Sequence, residues 1–239
     1  MQKKKFAVFD IDGTIFRSSL TVELVDALIQ EGVFPGRVRD VYARAYQQWL
    51  DRRASYENYM WAVVKAYNEN LKGVLHRDVV RVARTVAAFH KNRVYRFTRD
   101  LLKKLRAQDY YLVAVSHSSA IIVREFCTRL GFHKFYGRLH EVDEAGKLTG
   151  KHLAEELIDS KSKLVEHLIE KKGLSLKGSV GVGDTEYDIP MLALVEQPIC
   201  FNPNMQLYRH ARQKGWTIIV ERKDVIYNLT KHRHAHNVE

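Results

Sequence analysis

The sequence predicts an α/β protein with a doubly wound parallel sheet as its core and a helical domain inserted near its N-terminus. Three observations indicate this class. The chain begins with a short apolar run at residues 6–9 that ends in two aspartates. Helical periodicity with little glycine then continues to about His90, and beyond it helices alternate with short apolar runs. Such alternation is typical of a parallel sheet flanked by helices.

Length and composition are those of an ordinary globular protein. The chain has 239 residues, 46% of them hydrophobic, and a formal net charge of +11. This length allows one sizeable core and a smaller additional domain. The positive charge favours anionic ligands, which include both phosphorylated metabolites and nucleic acid.

The cysteine content and the distribution of apolar residues predict a cytoplasmic protein. Only Cys127 and Cys200 are present, so no disulfide framework is indicated, and we expect both to be buried. The apolar run after the basic start stops at Asp10, too early for a signal peptide. No apolar stretch is long enough to span a bilayer, so no membrane partner is expected.

The first strand is predicted at residues 6–9, a continuous apolar run suited to a strand buried on both faces. Asp10 and Asp12 follow directly. Ligands of open α/β sheets bind beyond the carboxyl ends of the strands, so both carboxylates are expected in that crevice. Gly13 would allow close approach of the backbone. The alternative is that this Asp-Gly segment is only a turn.

Four helices are predicted in the insert at residues 16–90. The first has four apolar residues on one face and ends before Gly32 and Pro35: Leu20, Leu24, Val25 and Leu28. The second helix is expected over residues 38–49, the third after an N-cap at Ser55, and the fourth over residues 77–89.

Two surfaces of this helical insert have alternative interpretations. One carries aromatic residues at helical spacing: Tyr42, Tyr46 and Trp49. They are suited to a cation–π cage, but a bundle core is the favoured interpretation. The other carries basic residues on one face: Arg77, Arg81 and Arg84. They are suited to an anionic substrate or a nucleic-acid backbone, but a solvated face is favoured.

Helices and strands alternate in the second half of the chain. Helices are predicted at 97–108, 120–130 and 161–172, the last two closed by left-handed Gly131 and Gly173. Strands are predicted at 111–115 and 179–183, ending at Ser116 and Asp184. Residues 139–153 are predicted to form a hairpin standing away from the main sheet.

The remainder continues the same pattern. A helix near Ile189, a strand at 198–201, the turn Asn202-Pro-Asn204, a further helix and a strand at 216–220 are predicted. The His-rich segment at residues 231–236 resembles a metal-binding tract, but a frayed terminus is the favoured interpretation.

Polar residues therefore follow three of the predicted strands: Asp10 and Asp12, Ser116, and Asp184 with Asp188. Lys161 begins a helix between the last two. The carboxyl ends of parallel strands face one crevice, so these side chains are expected to meet there. Carboxylates from two strand ends form an oxygen-rich pocket suited to Mg²⁺, and the lysine and the hydroxyl suit a phosphate.

In this order, these motifs resemble those of the haloacid dehalogenase (HAD) superfamily, in particular its phosphoserine-phosphatase-like subgroup with a helical cap. Asp10-Ile-Asp12-Gly-Thr14 matches the first motif, Ser116 the second and Lys161 the third. Gly183-Asp184-Thr-Glu-Tyr-Asp188 matches the fourth. The resemblance extends from Phe6 to about Val220.

The resemblance implies a Rossmann-like core domain formed by residues 1–15 and 91–239, with a helical cap domain at 16–90. It implies that Asp10 is the nucleophile and Asp12 the general acid and base. Mg²⁺ would be held by Asp10, the Asp12 backbone carbonyl and Asp184, with Asp188 behind them. The phosphate-binding residues would be Thr14, Ser116, His117 and Lys161.

Two departures from the subgroup concern substrate shape. His117 follows Ser116 where the subgroup usually has glycine, and Tyr187 precedes Asp188 where it often has asparagine.

In relatives that act on phosphoserine, a glutamate seven residues after the acid/base aspartate binds the ammonium group of the substrate. Ser19 holds that position here, with Glu23 one helical turn further on.

The expected function is therefore Mg²⁺-dependent hydrolysis of a small phosphomonoester through an aspartyl-phosphate. A phosphotransferase would use the same residues. A basic nucleic-acid-binding protein on a HAD-like fold is a further alternative, against which the acid/base Asp12 argues. The physiological substrate and the oligomeric state do not follow from the sequence.

Overall fold

A computed structural model describes residues 3–154 and 160–230. The predicted His-rich tract at 231–236 lies outside the described residues. By internal contacts the chain forms two compact units. The first combines the chain up to Ile15, Tyr95–Val113 and the chain from Ser160 onward. The second combines Phe16–Val94 with the described part of Ala114–Asp159.

The first unit is built on a mainly parallel sheet. Its strands are β1 (Lys5–Phe9), the start of β2 (Tyr111–Ser119), β5 (Ser175–Gly183), β6 (Gln197–Phe201), β7 (Thr217–Arg222) and β8 (Val225–Asn228). They lie in the order β2-β1-β5-β6-β7-β8. The pairs β1–β5, β5–β6 and β6–β7 are parallel, and only the terminal pair β7–β8 among these is antiparallel. The predicted α/β class with a parallel sheet is confirmed.

β1 lies inside this sheet as its apolar sequence predicts. Phe6, Ala7, Val8 and Phe9 are completely buried. The helices of the first unit are α5 (Arg96–Ala107), α7 (Lys161–Lys172), the short α8 (Ile189–Leu192) and α9 (Met205–Lys214). A 3-10 turn at Glu186–Asp188 precedes α8. Gly173 ends α7 in the left-handed conformation, with φ of 61°, as predicted.

The second unit contains the four predicted helices of the insert. They are α1 (Leu20–Gln30), α2 (Val38–Leu50), α3 (Tyr56–Leu71) and α4 (His76–Phe89). The apolar face predicted for α1 is buried, and Ser55 caps α3 by accepting a hydrogen bond from the Asn58 N–H at 3.2 Å. α1 packs on α3 and α4, and α2 packs on α3.

The same unit includes a strand pair and a further helix. α6 (Ala120–Leu130) is closed by left-handed Gly131, as predicted, and β3 (Lys134–Val142) pairs antiparallel with β4 (Leu148–Leu153). The prediction that this hairpin stands away from the sheet was wrong, because β3 lies hydrogen-bonded beside β2. The two compact units also group residues 114–154 with the helices of the insert, whereas the predicted cap comprised 16–90. The assignment of core and cap domains stays a prediction.

The aromatic and basic surfaces of the insert are partly solvated. Tyr42 is buried, whereas Tyr46 is 41% exposed. Trp49 stacks on Tyr59, with ring centroids 5.6 Å apart and planes 7° apart, so these rings pack against one another. Of the arginines on α4, Arg81 pairs with Glu31 and Arg84 pairs with Glu125, as suits a solvated face.

Candidate active site

The centre of the candidate site is a buried lysine between two carboxylates in the first unit. Lys161 is the first residue of α7 and is 4% exposed. Its Nζ lies 2.6 Å from Asp10 Oδ1 and 2.6 Å from Asp188 Oδ1. Asp10 follows β1, and its N–H donates to the Val182 carbonyl of β5. Two parallel neighbouring strands and one helix start therefore bring these three side chains together.

Asp188 is held in place through both of its carboxylate oxygens. Oδ1 binds Lys161, and Oδ2 accepts hydrogen bonds from the backbone N–H groups of Asp184 at 3.0 Å and Thr185 at 3.1 Å. Gly183 makes this possible, because a Cβ there would approach the Asp188 Cγ to 2.6 Å. Asp188 thus closes the loop after β5 and fixes the position of Asp184.

Asp184 lies against the loop that follows Asp10. Its Oδ1 accepts a hydrogen bond from Thr14 Oγ1 at 3.2 Å. Gly13 has φ of +80°, and a Cβ on Gly13 would collide with Asp184 Oδ2. The glycine of the first motif therefore serves two purposes: it adopts the left-handed backbone conformation, and it leaves room for a carboxylate from the neighbouring strand.

Negative charge is in excess in this cluster. One oxygen from each of Asp10, Asp184 and Asp188 lies within 4.8 Å of the others. Burial raises the pKa of Asp10 to about 7, with Lys161 opposing and the charges of Asp188 and Asp12 adding to it. Burial and the neighbouring carboxylates also raise the pKa of Asp184 well above its ordinary value. A bound divalent cation would relieve this repulsion, and the hard oxygen donors suit Mg²⁺.

Asp12 is half-buried on the loop after Asp10, close enough for its charge to raise the pKa of Asp10. Lys161 remains a cation in this environment. Burial acts to lower its pKa, but the charges of Asp10 and Asp188 together raise it above the ordinary lysine value. The first unit thus combines one fixed cation, a nucleophile candidate and an acid/base candidate.

Ser116 and His117 lie on β2 in the second unit. Ser116 is completely buried, and its hydroxyl accepts a hydrogen bond from the Ser118 N–H at 2.9 Å. The prediction that the strand ends at Ser116 was wrong: β2 continues to Ser119. Ser116 is therefore presented from within a strand. The residues that the structure brings together in the first unit are Asp10, Asp12, Thr14, Lys161, Asp184 and Asp188.

A family model described as haloacid dehalogenase-like hydrolase matches residues 7–193. The chain belongs to this family. The matched stretch contains every site residue considered above, and the protein is accordingly a HAD-like hydrolase.

Curated relatives with low identity carry phosphatase names. A protein of Neisseria meningitidis named histidinol-phosphatase is 20% identical over 224 residues, which are 90% of this chain and 98% of that protein. A protein of Mycobacterium tuberculosis named phosphoserine phosphatase is 26% identical over 221 residues, 89% of this chain and 69% of that protein.

Solved structures share the fold. A protein of unknown function from Bordetella pertussis superposes with a TM-score of 0.73 at 17% identity and covers 91% of this chain and 98% of its own. A phosphoserine phosphatase solved as a phospho-aspartyl intermediate analogue has a TM-score of 0.61 at 22% identity, covering 93% of this chain and 96% of its own. At these identities the likeness concerns the fold of HAD-like hydrolases alone.

One residue that supports the HAD fourth motif did not emerge from the sequence. Asn204 donates its backbone N–H to the Asp184 carbonyl at 2.8 Å, and its side-chain amide binds the Glu186 carboxylate. It also caps α9 by accepting from the Leu207 N–H at 3.0 Å. The sequence indicated only a turn at Asn202-Pro-Asn204. An asparagine just before a helix was the available signal.

A second missed arrangement involves Glu23 on α1. Its carboxylate lies 2.7 Å from Arg93 Nη1 and 3.1 Å from His90 Nε2, all within the second unit. Burial, partly opposed by Glu23, lowers the pKa of His90. Glu23 thus already has cationic or hydrogen-bonding partners from its own unit. Ser19, at the position where phosphoserine-directed relatives have glutamate, is 2% exposed.

Among the described residues, no helix combines the length and the apolar character that crossing a bilayer requires. Cys127 and Cys200 are both free thiols and buried, as predicted.

Proposed function

We propose that this protein is a Mg²⁺-dependent phosphatase that hydrolyses a small phosphomonoester through an aspartyl-phosphate on Asp10. The observation that carries the proposal is the buried Lys161, which contacts both Asp10 and Asp188 at 2.6 Å. Phosphoryl transfer depends mainly on positioning and on stabilising charge, and this cluster offers both. The phosphatase names of the relatives agree with it.

In the first half-reaction a carboxylate oxygen of Asp10 attacks phosphorus. A bond forms between that oxygen and phosphorus, and the bond from phosphorus to the substrate's ester oxygen breaks. Asp12 donates its proton to the departing oxygen, so the product leaves as a neutral alcohol. Such proton transfer typically accelerates a reaction by about 10²- to 10⁴-fold.

In the second half-reaction water attacks the phosphorus of the aspartyl-phosphate. Asp12, now ionised, takes a proton from that water, and the bond between phosphorus and Asp10 breaks to release inorganic phosphate. Division into two steps replaces one difficult displacement by two easier ones. Asp12 is restored to its protonated form and Asp10 to its free carboxylate.

The metal ligands proposed are Asp10, the backbone carbonyl of Asp12 and Asp184. When bound, Mg²⁺ supplies positive charge to the phosphate oxygens. Asp188 uses both carboxylate oxygens in hydrogen bonds to Lys161 and to the loop backbone, so its role is to hold Asp184 and Lys161 in place.

Phosphate binding is assigned to Lys161, Ser116, His117 and Thr14. Lys161 carries a fixed charge beside the nucleophile, and its contacts with two carboxylates hold its ammonium group in position. The Thr14 hydroxyl donates to Asp184, so we assign the contribution of Thr14 to orienting that carboxylate as well. His117 is half-buried and would restrict the shape of the substrate.

We further infer that phosphoserine is not the preferred substrate. Ser19 is neutral, and Glu23 is engaged by Arg93 and His90. A carboxylate already paired in this way has less to offer a substrate ammonium group. A lost charge-assisted hydrogen bond typically costs about 1.5–3 kcal/mol.

The test is hydrolysis of a generic aryl phosphate with Mg²⁺ and with excess chelator, followed by trapping of the intermediate. We expect Mg²⁺-dependent release of phosphate and a phosphorylated Asp10-containing peptide after acid quench. Identification of the phosphorus-containing product with alcohols present distinguishes hydrolysis from phosphotransfer. Activity that is unchanged by chelator, or by Asp10→Asn, would contradict the proposal.

A further inference from the structure

The hydroxyl of Thr98 forms a buried hydrogen bond with the loop that follows β1. Thr98 lies in the first turn of α5 and is completely buried. Its Oγ1 donates to the backbone carbonyl of Thr14 at 2.9 Å, across a separation of 84 positions. Both residues belong to the first unit. A threonine in a helix can bond its hydroxyl to a carbonyl of its own preceding turn, whereas this hydroxyl bonds outside its helix.

The start of α5 is held by residues of the sheet. Tyr95, at the N-cap position, is not one of the short polar residues that cap helices. The Glu221 carboxylate of β7 takes that role, accepting from the N–H groups of Arg96 at 3.0 Å and Phe97 at 2.8 Å. The first N–H groups of a helix carry partial positive charge, so a carboxylate is favourable there. The Phe97 ring also stacks on Phe201 of β6, with planes 6° apart. The first turn of α5 is therefore fixed to the sheet.

The loop after β1 is bound to the start of α5 at two consecutive carbonyls. Thr98 binds the Thr14 carbonyl, and the Tyr95 N–H donates to the Ile15 carbonyl at 3.0 Å. The loop also closes on itself, because the Ile15 N–H donates to the Ile11 carbonyl at 2.9 Å. Two anchors and one internal bond thus fix the turn that follows the nucleophile candidate.

Thr14 connects this anchor to a carboxylate of the candidate site. Its backbone carbonyl accepts from Thr98, and its own hydroxyl donates to Asp184 Oδ1 at 3.2 Å. That distance is already longer than the usual O–H···O range of about 2.5–3.0 Å, so a small further displacement of Thr14 would break the bond. The contact with Asp184 therefore depends on the exact position of the Thr14 backbone.

We propose that Thr98 is a positioning residue of the candidate metal site and acts through Thr14 on Asp184. This inference rests on the proposed function, in which Asp184 holds Mg²⁺ together with Asp10 and the Asp12 carbonyl. Thr98 acts at one remove, since its hydroxyl binds a backbone carbonyl rather than a carboxylate. It also lies outside the four HAD motifs. Groups that orient metal ligands contribute to affinity because the ligand oxygens are already in place when the cation binds.

The test measures Mg²⁺ binding to the full-length protein by isothermal titration calorimetry, without substrate. Thr98→Val replaces the hydroxyl by a methyl group of similar size. It should weaken Mg²⁺ binding about tenfold, the lower end of the usual effect of removing a group that orients metal ligands. Thr98→Ser keeps the hydroxyl and should restore the affinity of the wild type. If Thr98→Ser bound Mg²⁺ as weakly as Thr98→Val, the hydroxyl would not be the acting group and the proposal would fail.

Tyr110→Phe is the matched control for a merely structural effect. The Tyr110 hydroxyl also donates to a backbone carbonyl of the first unit, that of Gly178, at the same distance of 2.9 Å. Gly178 lies within β5, whereas Asp184 follows the end of that strand. Both variants should lower the midpoint of urea unfolding, but only Thr98→Val should weaken Mg²⁺ binding. Equal weakening in both would indicate a general loss of stability and would overturn the proposal.

A double-variant cycle tests the route through Thr14. Thr14→Val removes the hydroxyl that donates to Asp184, and it should also weaken Mg²⁺ binding. Once that hydroxyl is absent, Thr98→Val should change the dissociation constant less than it does alone. If the two changes multiplied fully, the two threonines would act independently, and the proposed route would be wrong.

Turnover of an aryl phosphate separates this inference from the proposed function. In Thr98→Val the Mg²⁺ concentration for half-maximal rate should rise by the same factor as the dissociation constant, and KM for the ester at saturating Mg²⁺ should change less. Mg²⁺ binding by the wild type without hydrolysis would contradict the proposed function, and calorimetry would still decide the role of Thr98. Equal Mg²⁺ affinity in Thr98→Val and the wild type would overturn the role of Thr98 alone. A wild type that binds no Mg²⁺ would overturn both.

Discussion

Replacement of Lys161 by methionine tests the centre of the candidate site most directly. The ammonium group lies 2.6 Å from each of two carboxylates, and the side chain is only 3% exposed. At that distance and an effective dielectric constant of about 20, each contact contributes about 6 kcal/mol of gross attraction. Burial of the charges offsets most of this energy. Removing one partner from a buried ion pair typically costs about 3–5 kcal/mol, because the remaining charge is left uncompensated.

We therefore expect Lys161→Met to lower the free energy of unfolding by about 3–5 kcal/mol when it is measured by urea denaturation with chelator present. The control is Lys163→Met, which removes an exposed lysine from the same helix and should change stability by no more than about 0.5 kcal/mol. Saturating Mg²⁺ should reduce the loss in Lys161→Met, since the cation offsets part of the same negative charge. Turnover should fall by at least about 10²-fold.

The reasoning would be refuted if Lys161→Met were as stable as Lys163→Met in chelator. That result would mean that the carboxylates do not depend on the lysine for charge compensation. If Lys161→Met lost activity without losing stability, the role of Lys161 in catalysis would be separate from any role in stabilising the fold.

The remaining predictions concern the nucleophile, the metal, the substrate and pH. Asp10→Asn should abolish turnover while circular dichroism shows an intact fold, and Asp12→Asn should slow both formation and breakdown of the aspartyl-phosphate in quenched-flow measurements. Turnover should require Mg²⁺. Ca²⁺ should inhibit in competition with Mg²⁺, because the looser coordination of Ca²⁺ permits unproductive binding of Asp10. Full turnover with Ca²⁺ would contradict this. kcat/KM should be compared across phosphoserine, phosphocholine, histidinol phosphate, sugar phosphates and nucleoside monophosphates, and phosphoserine should not have the highest value. A tenfold lead for phosphoserine would show that Glu23 can bind an ammonium group despite its contact with Arg93. The contribution of His140 to stability should fall as pH drops from 6.5 toward about 4, because His140 has an ordinary pKa of 6.5 when unfolded and about 4 when folded. The full contribution is on the order of 3 kcal/mol, and His140→Gln should remove this part of the pH dependence in urea titrations.

Much of the secondary structure followed from local sequence. Apolar runs identified β1 and β5, helical periodicity identified the four helices of the insert, and capping residues such as Ser55 and Gly131 identified their ends. These features depend on residues within one or two turns of each other. The motifs were recognisable for the same reason, since each occupies a short stretch.

Contacts between distant segments did not follow from local sequence. The sequence indicated that β2 ends at Ser116, whereas β2 continues to Ser119 beside β3. Gly137 of β3 permits this pairing, because a Cβ there would lie 2.8 Å from the Ser118 carbonyl oxygen. Asn204 was interpreted as a turn residue, yet it supports Asp184 from twenty positions away. These outcomes depend on which surfaces meet after folding, and that information is not contained in any single stretch.

The sequence by itself determined the fold class, the family and the chemical identity of the candidate site, because apolar periodicity and the order of the motifs are local properties. Only the tertiary structure decided how those groups are paired. It joined Lys161 to Asp10 and Asp188, which are 151 and 27 positions away, and it paired Glu23 with Arg93, 70 positions away. The physical reason is that charge compensation and buried hydrogen bonding act over a few ångströms, whatever the separation along the chain.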